Sequence, residues 1–333
     1  MLLIYLPQNS PRTQYVFDLI FSEEFGMVYR TTNSKEEFAN FTEEKINYSE
    51  ERIGETFFIK SSGLLWESGI NQKQISVEER NSMKVIFSNE SADLGFDIFS
   101  AVFFMLSRYE EYLSAERDKF GRFQAKQSLA YKNDFLQKPV VNIWIENLKS
   151  VFKNRFPGLQ FKQESFNALI TYDVDVAYKF KGRSFGRNLG SALKDIAGFN
   201  IKNFKVRIQT LLRGAKDPWD VYEEVQQLLS KNQLPSVFFF LLADKSEHDR
   251  NLDYKHPVMK QLIQQISSFT KTGIHPSFHT STLPGKIKEE KERLESISGK
   301  MVTKSRQHYL KFQLPETYDF LISNGITEDY SMG

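Results

Sequence analysis

The feature that most constrains the fold is an alternation of apolar runs with amphipathic segments over residues 168–323. Residues 168–172, 236–242, 272–275 and 301–305 read as strands, and 219–230, 257–269, 287–297 and 316–323 as helices. The run SVFFFLL at 236–242 is apolar at every position except its first, which suits a strand covered on both faces. Strands that alternate with helices predict a parallel sheet, because the helix supplies the crossover that parallel pairing needs. Pro218, Pro257 and Pro315 fall near the first turn of three helices, where a missing N–H costs nothing. The pattern gives four βα units before position 333. A closed eight-unit barrel takes about 250 residues, so this stretch fits either an open doubly wound sheet or part of a barrel.

Residues 1–160 alternate less clearly. Residues 2–6, 56–59 and 84–87 read as strands, and 15–25 as a helix ended by Gly26. Residues 96–113, FDIFSAVFFMLSRYEEYL, are apolar nearly all round at first and predict a buried core helix. A loop with Gly121 and a helix over 139–152 follow, and Pro157-Gly158 is the expected linker. This half holds no acid/base pair, phosphate loop or metal-ligand spacing, so a structural or interaction domain is expected. The chain thus divides into α/β domains at 1–160 and 161–333. The absence of Cys excludes disulfides, thiolate nucleophiles and Cys-ligated zinc. A net charge of +2 gives no global field pointing to nucleic acid. The opening MLLIYLPQN lacks a basic flank and a small-residue cleavage site, and no 18-residue apolar window occurs, so a cytoplasmic location is the default expectation.

Three stretches carry chemistry. The first, ALITYDVD at 168–175, ends an apolar strand with two carboxylates. Sites in α/β sheets lie beyond the carboxyl ends of strands, and period-two geometry sends Asp173 and Asp175 the same way. One can bind a cation while the other serves as a base; the competing reading is a turn with capping aspartates. The second, GIHPSFH at 273–279, holds two of the five histidines, at i and i+4. If Pro276 opens a helical turn, His279 returns to the side of His275, and two imidazoles with one carboxylate form a divalent-metal set. Two loop histidines bonded to backbone are the alternative. The third, KSRQHYLKF at 304–312, offers Arg306 to stabilise an anion or orient a carboxylate and His308 to position substrate. On its own it reads as a solvated loop.

Taken in this order, the three stretches resemble the polysaccharide deacetylase superfamily (NodB-homology, carbohydrate esterase family 4), whose members have a deformed βα barrel and a divalent metal, often zinc. TYDVD resembles the D-x-D variant of the family's first motif. The resemblance implies Asp173 as general base, Asp175, His275 and His279 as metal ligands, and Arg306 as the arginine of the third motif. His308 and Tyr172 are then the expected substrate contacts. The segment LPETYDFLISNGITEDYSMG is similar to the helix and strand that follow. FDIFSAVFFMLSRYEEYL, GRF and SLAYKNDFLQKP resemble an uncharacterised domain that precedes such deacetylases in Bacteroidetes proteins. The implied fold is an N-terminal α/β domain followed by a partial barrel, since the chain ends before the family's last strands and their catalytic His. The implied activity is metal-dependent removal of N- or O-acetyl groups from a glycan. The separated D-x-D leaves the glycan open. A glycosyltransferase that holds a metal on Asp173 and Asp175, or a degenerate carbohydrate-binding domain, are the alternatives.

One segment stands apart. Residues 176–216 contain ten basic residues and a single acid, Asp195, a net +9 that leaves −7 for the remainder of a +2 chain. Phe185, Leu189, Leu193, Ile196 and Phe199, then Phe204, Ile208 and Leu211, recur at helical spacing. Two amphipathic helices with basic faces are expected, either as a lid with solvated lysines or as a dock for anionic lipid headgroups or a lipid-linked glycan.

Overall fold

The computed structural model describes residues 1–113, 116–163, 165–283 and 285–332. They form two compact units: Met1–Arg117 with Phe123–Ser165, and Asp118–Arg122 with Phe166–Gly333.

The first unit holds four parallel strands, β1 (Leu2–Tyr5), β2 (Tyr29–Thr32), β3 (Lys45–Ser49) and β4 (Phe57–Lys60), in the order β2-β1-β3-β4. Helix α1 (Pro11–Phe17) starts earlier than the apolar periodicity predicts. Ser10 caps it by accepting the Thr13 N–H while Thr13 answers the Ser10 N–H, and Pro11 fills the first turn. The helix runs on as a π-helical stretch, Asp18–Glu24. Helix α2 (Lys35–Asn40) and an antiparallel hairpin of β5 (Val77–Arg80) and β6 (Met83–Ile86) follow. The helix expected over 96–113 breaks at Arg108, whose φ is 51°, into α3 (Ile98–Leu106) and α4 (Tyr109–Leu113). Helices α5 (Leu129–Lys132) and α6 (Val140–Arg155) complete the unit. The apolar surround of α3 is explained by its place: Phe99 lies fully buried, with Phe17 at 4.9 Å and Tyr48 at 5.0 Å in edge-to-face contact.

The second unit holds five parallel strands, β7 (Ile170–Val174), β8 (Ser236–Phe240), β9 (Lys271–Ile274), β10 (Lys304–Ser305) and β11 (Glu328–Asp329), in the order β11-β10-β9-β8-β7. Its helices are α7 (Phe185–Ala197), α8 (Ile201–Leu212), α9 (Tyr222–Lys231), α10 (Pro257–Phe269), α11 (Gly285–Ser298) and α12 (Glu316–Ser323). Each strand lies beside its sequence neighbour, so the order never reverses, which sets this sheet apart from a doubly wound one. Among the described residues β7 and β11 do not pair with each other, and the sheet is open. Every residue of β8 is buried, as its apolar run requires. Gly273 is needed where it stands, because a Cβ there would lie 2.7 Å from both the Lys304 carbonyl and the Phe239 ring. No described helix is long and apolar enough to cross a membrane.

Candidate metal centre

Parallel strands in sequential order bring their carboxyl ends to one rim. Asp173 and Val174 on β7 pair with Phe239 and Phe240 on β8. The pairing runs on through His275 N–H to the Phe240 carbonyl at 2.9 Å and Arg306 N–H to the Ile274 carbonyl at 3.1 Å. Asp173, Asp175, His275 and Arg306 therefore arrive at the same edge from β7, β9 and β10.

Three of the side chains converge. Asp175 Oδ1 lies 3.2 Å from His275 Nε2, and Asp175 Oδ2 lies 3.9 Å from His308 Nε2. Ligand atoms of the three residues all lie within 4.8 Å of one another. The imidazoles are nearly sealed, with side chains 4% and 10% exposed, whereas the Asp175 side chain is 50% exposed, so the cluster opens on the carboxylate side. Asp173, Gln307, Tyr309 and Leu310 line the adjoining depression.

The outer nitrogens of both rings are already bonded. His275 Nδ1 faces the Arg306 carbonyl at 2.5 Å. A carbonyl only accepts, so Nδ1 carries the proton and donates it. His308 Nδ1 likewise donates to Asp249 Oδ1 at 3.0 Å. Asp249 is buried and also accepts from the Phe278 N–H at 3.0 Å and the Ser246 hydroxyl at 2.7 Å. Burial alone would raise its pKa, but the hydrogen bonds from His308, Phe278 and Ser246 outweigh that and hold the carboxyl below its ordinary range. In the neutral tautomer both Nε2 atoms are then acceptors, and they face a third acceptor, Asp175. Such a trio needs positive charge, from a proton on an imidazole or from a cation. Where that charge is a proton on the imidazoles, the hydrogen bond from His275 is the main force holding the Asp175 carboxyl low, the charges of His275 and His308 add to it, and burial opposes it. Two imidazoles oriented by outer partners plus one carboxylate, with one open side, is a donor set that fits zinc or a similar divalent ion.

The other residues singled out from the sequence fall as follows. Arg306 reaches Asp173 Oδ1 at 3.3 Å, is held by the Tyr330 carbonyl at 3.0 Å, and lies over the Phe239 ring. Tyr172 sits one residue out of phase with Asp173 and stacks on Phe238, with ring centroids 4.6 Å apart, so strand alternation sends it to the opposite face. His308, expected as a substrate contact, stands in the ligand cluster, whereas His279, expected as a ligand, lies outside it and is exposed. The reason is local: residues 275–277 are irregular and the turn begins only at Phe278, so the helical phase assumed between 275 and 279 never starts. Asp249 gave no signal in the sequence, since it lies in a loop with no motif around it.

The segment 118–122 also builds this rim. Asp118 accepts the backbone N–H groups of Phe120 and Arg122 and the Arg122 Nε–H, shaping a turn through Gly121 at φ 81°. Arg122 donates to the Tyr309 carbonyl at 2.8 Å, and the Phe120 ring packs 5.2 Å from that of Tyr309. Tyr309 and Leu310 both have left-handed φ, 61° and 50°. That conformation costs about 1–3 kcal/mol for such residues, and the turn bonded to Tyr309 braces it beside His308.

Residues 2–157 match the model of a family described as "Family of unknown function (DUF7033)". No curated protein matches the chain. Among solved structures, one assigned as a polysaccharide deacetylase from Mycobacterium smegmatis aligns at 14% identity and a TM-score of 0.30, over 50% of this chain and 52% of its own. The chain thus spans about half the length of that structure, and the TM-score is too low to carry its fold or activity across.

Proposed function

We propose that the second unit is a divalent-metal hydrolase that removes acetyl groups from a glycan, with Asp175, His275 and His308 as metal ligands and Asp173 as general base. The observation that carries this reading is the convergence of three acceptor atoms, two of them on imidazoles whose outer nitrogens are already bonded. When bound, the cation supplies Lewis acidity at a substrate carbonyl and lowers the pKa of a water in the site. Asp173, on the strand face shared with Asp175, is the group placed to take a proton from the attacking water. Arg306 aims the Asp173 carboxylate and places positive charge where negative charge develops on the acyl carbon's oxygen. Asp249 and the Arg306 carbonyl hold the two imidazoles in the tautomer that leaves Nε2 free. Attack on an acetyl group breaks its acyl C–N or C–O bond, and the proton held by Asp173 passes to the departing nitrogen or oxygen, giving acetate and a sugar amine or hydroxyl.

The geometry favours hydrolysis over transfer from a sugar nucleotide, because Asp173 is engaged by Arg306 and two histidines, not a second aspartate, complete the ligand set. Sequential addition of strands is the arrangement of a barrel wall, and the deformed-barrel reading is proposed on that basis together with the motif resemblance. The glycan assignment rests on the motifs alone. The test is acetate release from N-acetylated and O-acetylated oligosaccharides by chelator-treated protein with and without added zinc. Zinc-dependent release that is lost in Asp173→Asn supports the proposal. Zinc binding without acetate release from either class would overturn the hydrolytic reading.

A further inference from the structure

Helices α7 and α8 are built inside out. Phe185, Leu189, Leu193 and Ile196 fall at i, i+4, i+8 and i+11 and make one stripe along α7. On a surface helix of a soluble protein that stripe faces the core. Here it faces outward: Phe185 is 81% exposed, Leu193 59%, and Phe199, just past the helix end, 89%. Ile201 and Leu212 on α8 are exposed as well. The seam between the helices is polar instead. Buried Arg207 pairs with Asp195 at 2.8 Å and donates to Asn188 Oδ1 at 3.2 Å, and Asn203 donates to Asp195 at 2.7 Å. Asp217 ties down the root of the hairpin by accepting the N–H groups of Lys179, Phe180 and Lys181.

The charge follows the same logic. Asp195, the single acid of residues 176–216, is consumed inside the seam by Arg207. Arg187, Lys194, Lys202, Lys205 and Arg213 are exposed on the two helices and their ends. None of these five is in an ion pair among the described residues. On α8 Lys205 shares the exposed face of Ile201 and Leu212, and on α7 Arg187 and Lys194 lie across the helix from the stripe; an exposed apolar stripe on a hairpin whose exposed cations are unpaired matches a medium that is apolar inside and anionic at its surface. A second copy of the chain fits less well, because it would bring a second +9 segment against the first.

We propose that the α7–α8 hairpin docks on the surface of an anionic lipid bilayer, with Phe185, Leu189, Leu193 and Phe199 entering the headgroup–acyl boundary and the surrounding Lys and Arg facing the headgroups. The hairpin lies in the interface and does not span it. It uses none of the residues of the metal centre, so it stands or falls apart from the hydrolase proposal.

The full chain is mixed with phosphatidylcholine vesicles with and without about one-third phosphatidylglycerol, and pelleted. The salt is then raised tenfold, which shortens the screening length about threefold. The wild type is expected in the pellet with anionic vesicles at low salt, with recovery falling several-fold at high salt or with neutral vesicles. Two variants, Phe185→Ser with Leu193→Ser and Lys194→Glu with Lys202→Glu and Lys205→Glu, change exposed residues only and should keep the wild-type circular dichroism. Each should lower recovery at least about fivefold, since one basic contact is worth roughly fivefold and one apolar side chain withdrawn from the acyl boundary roughly tenfold or more. Wild-type protein that stays in the supernatant with both vesicles, or pellets equally with both regardless of salt, overturns the proposal. So does a dimer in sedimentation velocity that Phe185→Ser with Leu193→Ser dissociates, since the stripe would then cover a second copy.

Discussion

Each unit contains a buried polar network, and the two are wired differently. In the first unit, Asp97 at the head of α3 accepts the N–H of Ser62 at 2.7 Å, the N–H of Ser100 at 3.1 Å and the hydroxyl of Tyr48 at 3.2 Å. Every bond points inward among protein groups and closes on itself. In the second unit, Asp249, the Arg306 carbonyl and the His275 and His308 Nδ1 atoms are bonded just as fully, but the two Nε2 atoms and Asp175 are left facing one another. A closed network fixes a fold. A network closed on its outer side and left with acceptors on its inner side prepares a place for a cation. Burial of polar groups alone does not tell the two apart; the direction of the spare lone pairs does.

The difference can be broken from the closed side first. Asp97→Ala removes a helix cap and strands the buried Ser100 N–H, while the N–H of exposed Ser62 can turn to water and the Tyr48 hydroxyl keeps Ser61 and Ser100 as partners. At about 1–3 kcal/mol for the orphaned buried N–H and about 1 kcal/mol for the lost Tyr48 bond, a loss of about 2–4 kcal/mol is expected in urea unfolding. Zinc affinity of the protein that remains folded should not change. A loss of zinc affinity in that folded fraction would mean that the two networks are not independent.

Glu290 tests a boundary case. It is buried on α11 and accepts the Ser277 N–H at 2.9 Å beneath the metal rim. Burial, which outweighs that bond, pushes its pKa up to about 7. The folded chain therefore keeps this proton between the ordinary carboxylate value and about 7, while the unfolded chain has lost it, so stability falls as pH rises through that window and the loss is complete above it. Glu290→Gln keeps an acceptor for Ser277 and removes the ionisation. It is expected to be more stable than wild type by up to about 3 kcal/mol at pH 8 and equal to it near pH 4. A difference independent of pH would contradict the burial argument.

Asp249→Asn gives the smallest expected effect and sharpens the comparison most. It leaves all three ligands in place but weakens the partner that orients His308. Zinc affinity should fall about 10–100-fold, the range for outer partners of ligating histidines, with little change in the stability of the zinc-free protein.

What could be read from residues alone follows from the same physics. In the second unit β7 and β8 were legible as short apolar runs and α10 and α12 by the Pro at their starts, whereas Pro218 lies four residues ahead of α9 and β11 is only Glu328–Asp329. β3 of the first unit was not, because its buried Asn47 and Ser49 look like a loop; they are satisfied locally, Asn47 by the Glu51 carbonyl and Ser49 by Asn47. At the site, Asp175 and His275 were legible from strand-end position. His308 was assigned a substrate role because its neighbours KSRQHYL look like a solvated loop. Asp249 became visible only once His308 and Phe278 were in place around it. The outward stripe of α7 is the reverse case: the periodicity was plain, but periodicity alone does not say which side is buried.

The most direct test of the central claim is a zinc titration of wild type, His308→Ala and His279→Ala against a chromophoric chelator. Wild type and His279→Ala are expected to bind stoichiometric zinc with the same affinity, and His308→Ala to lose more than the roughly 100-fold that removal of an outer partner can cost. If His279→Ala lost the metal and His308→Ala kept it, the converging Nε2 atoms would not be the ligands and the account of the centre would be wrong.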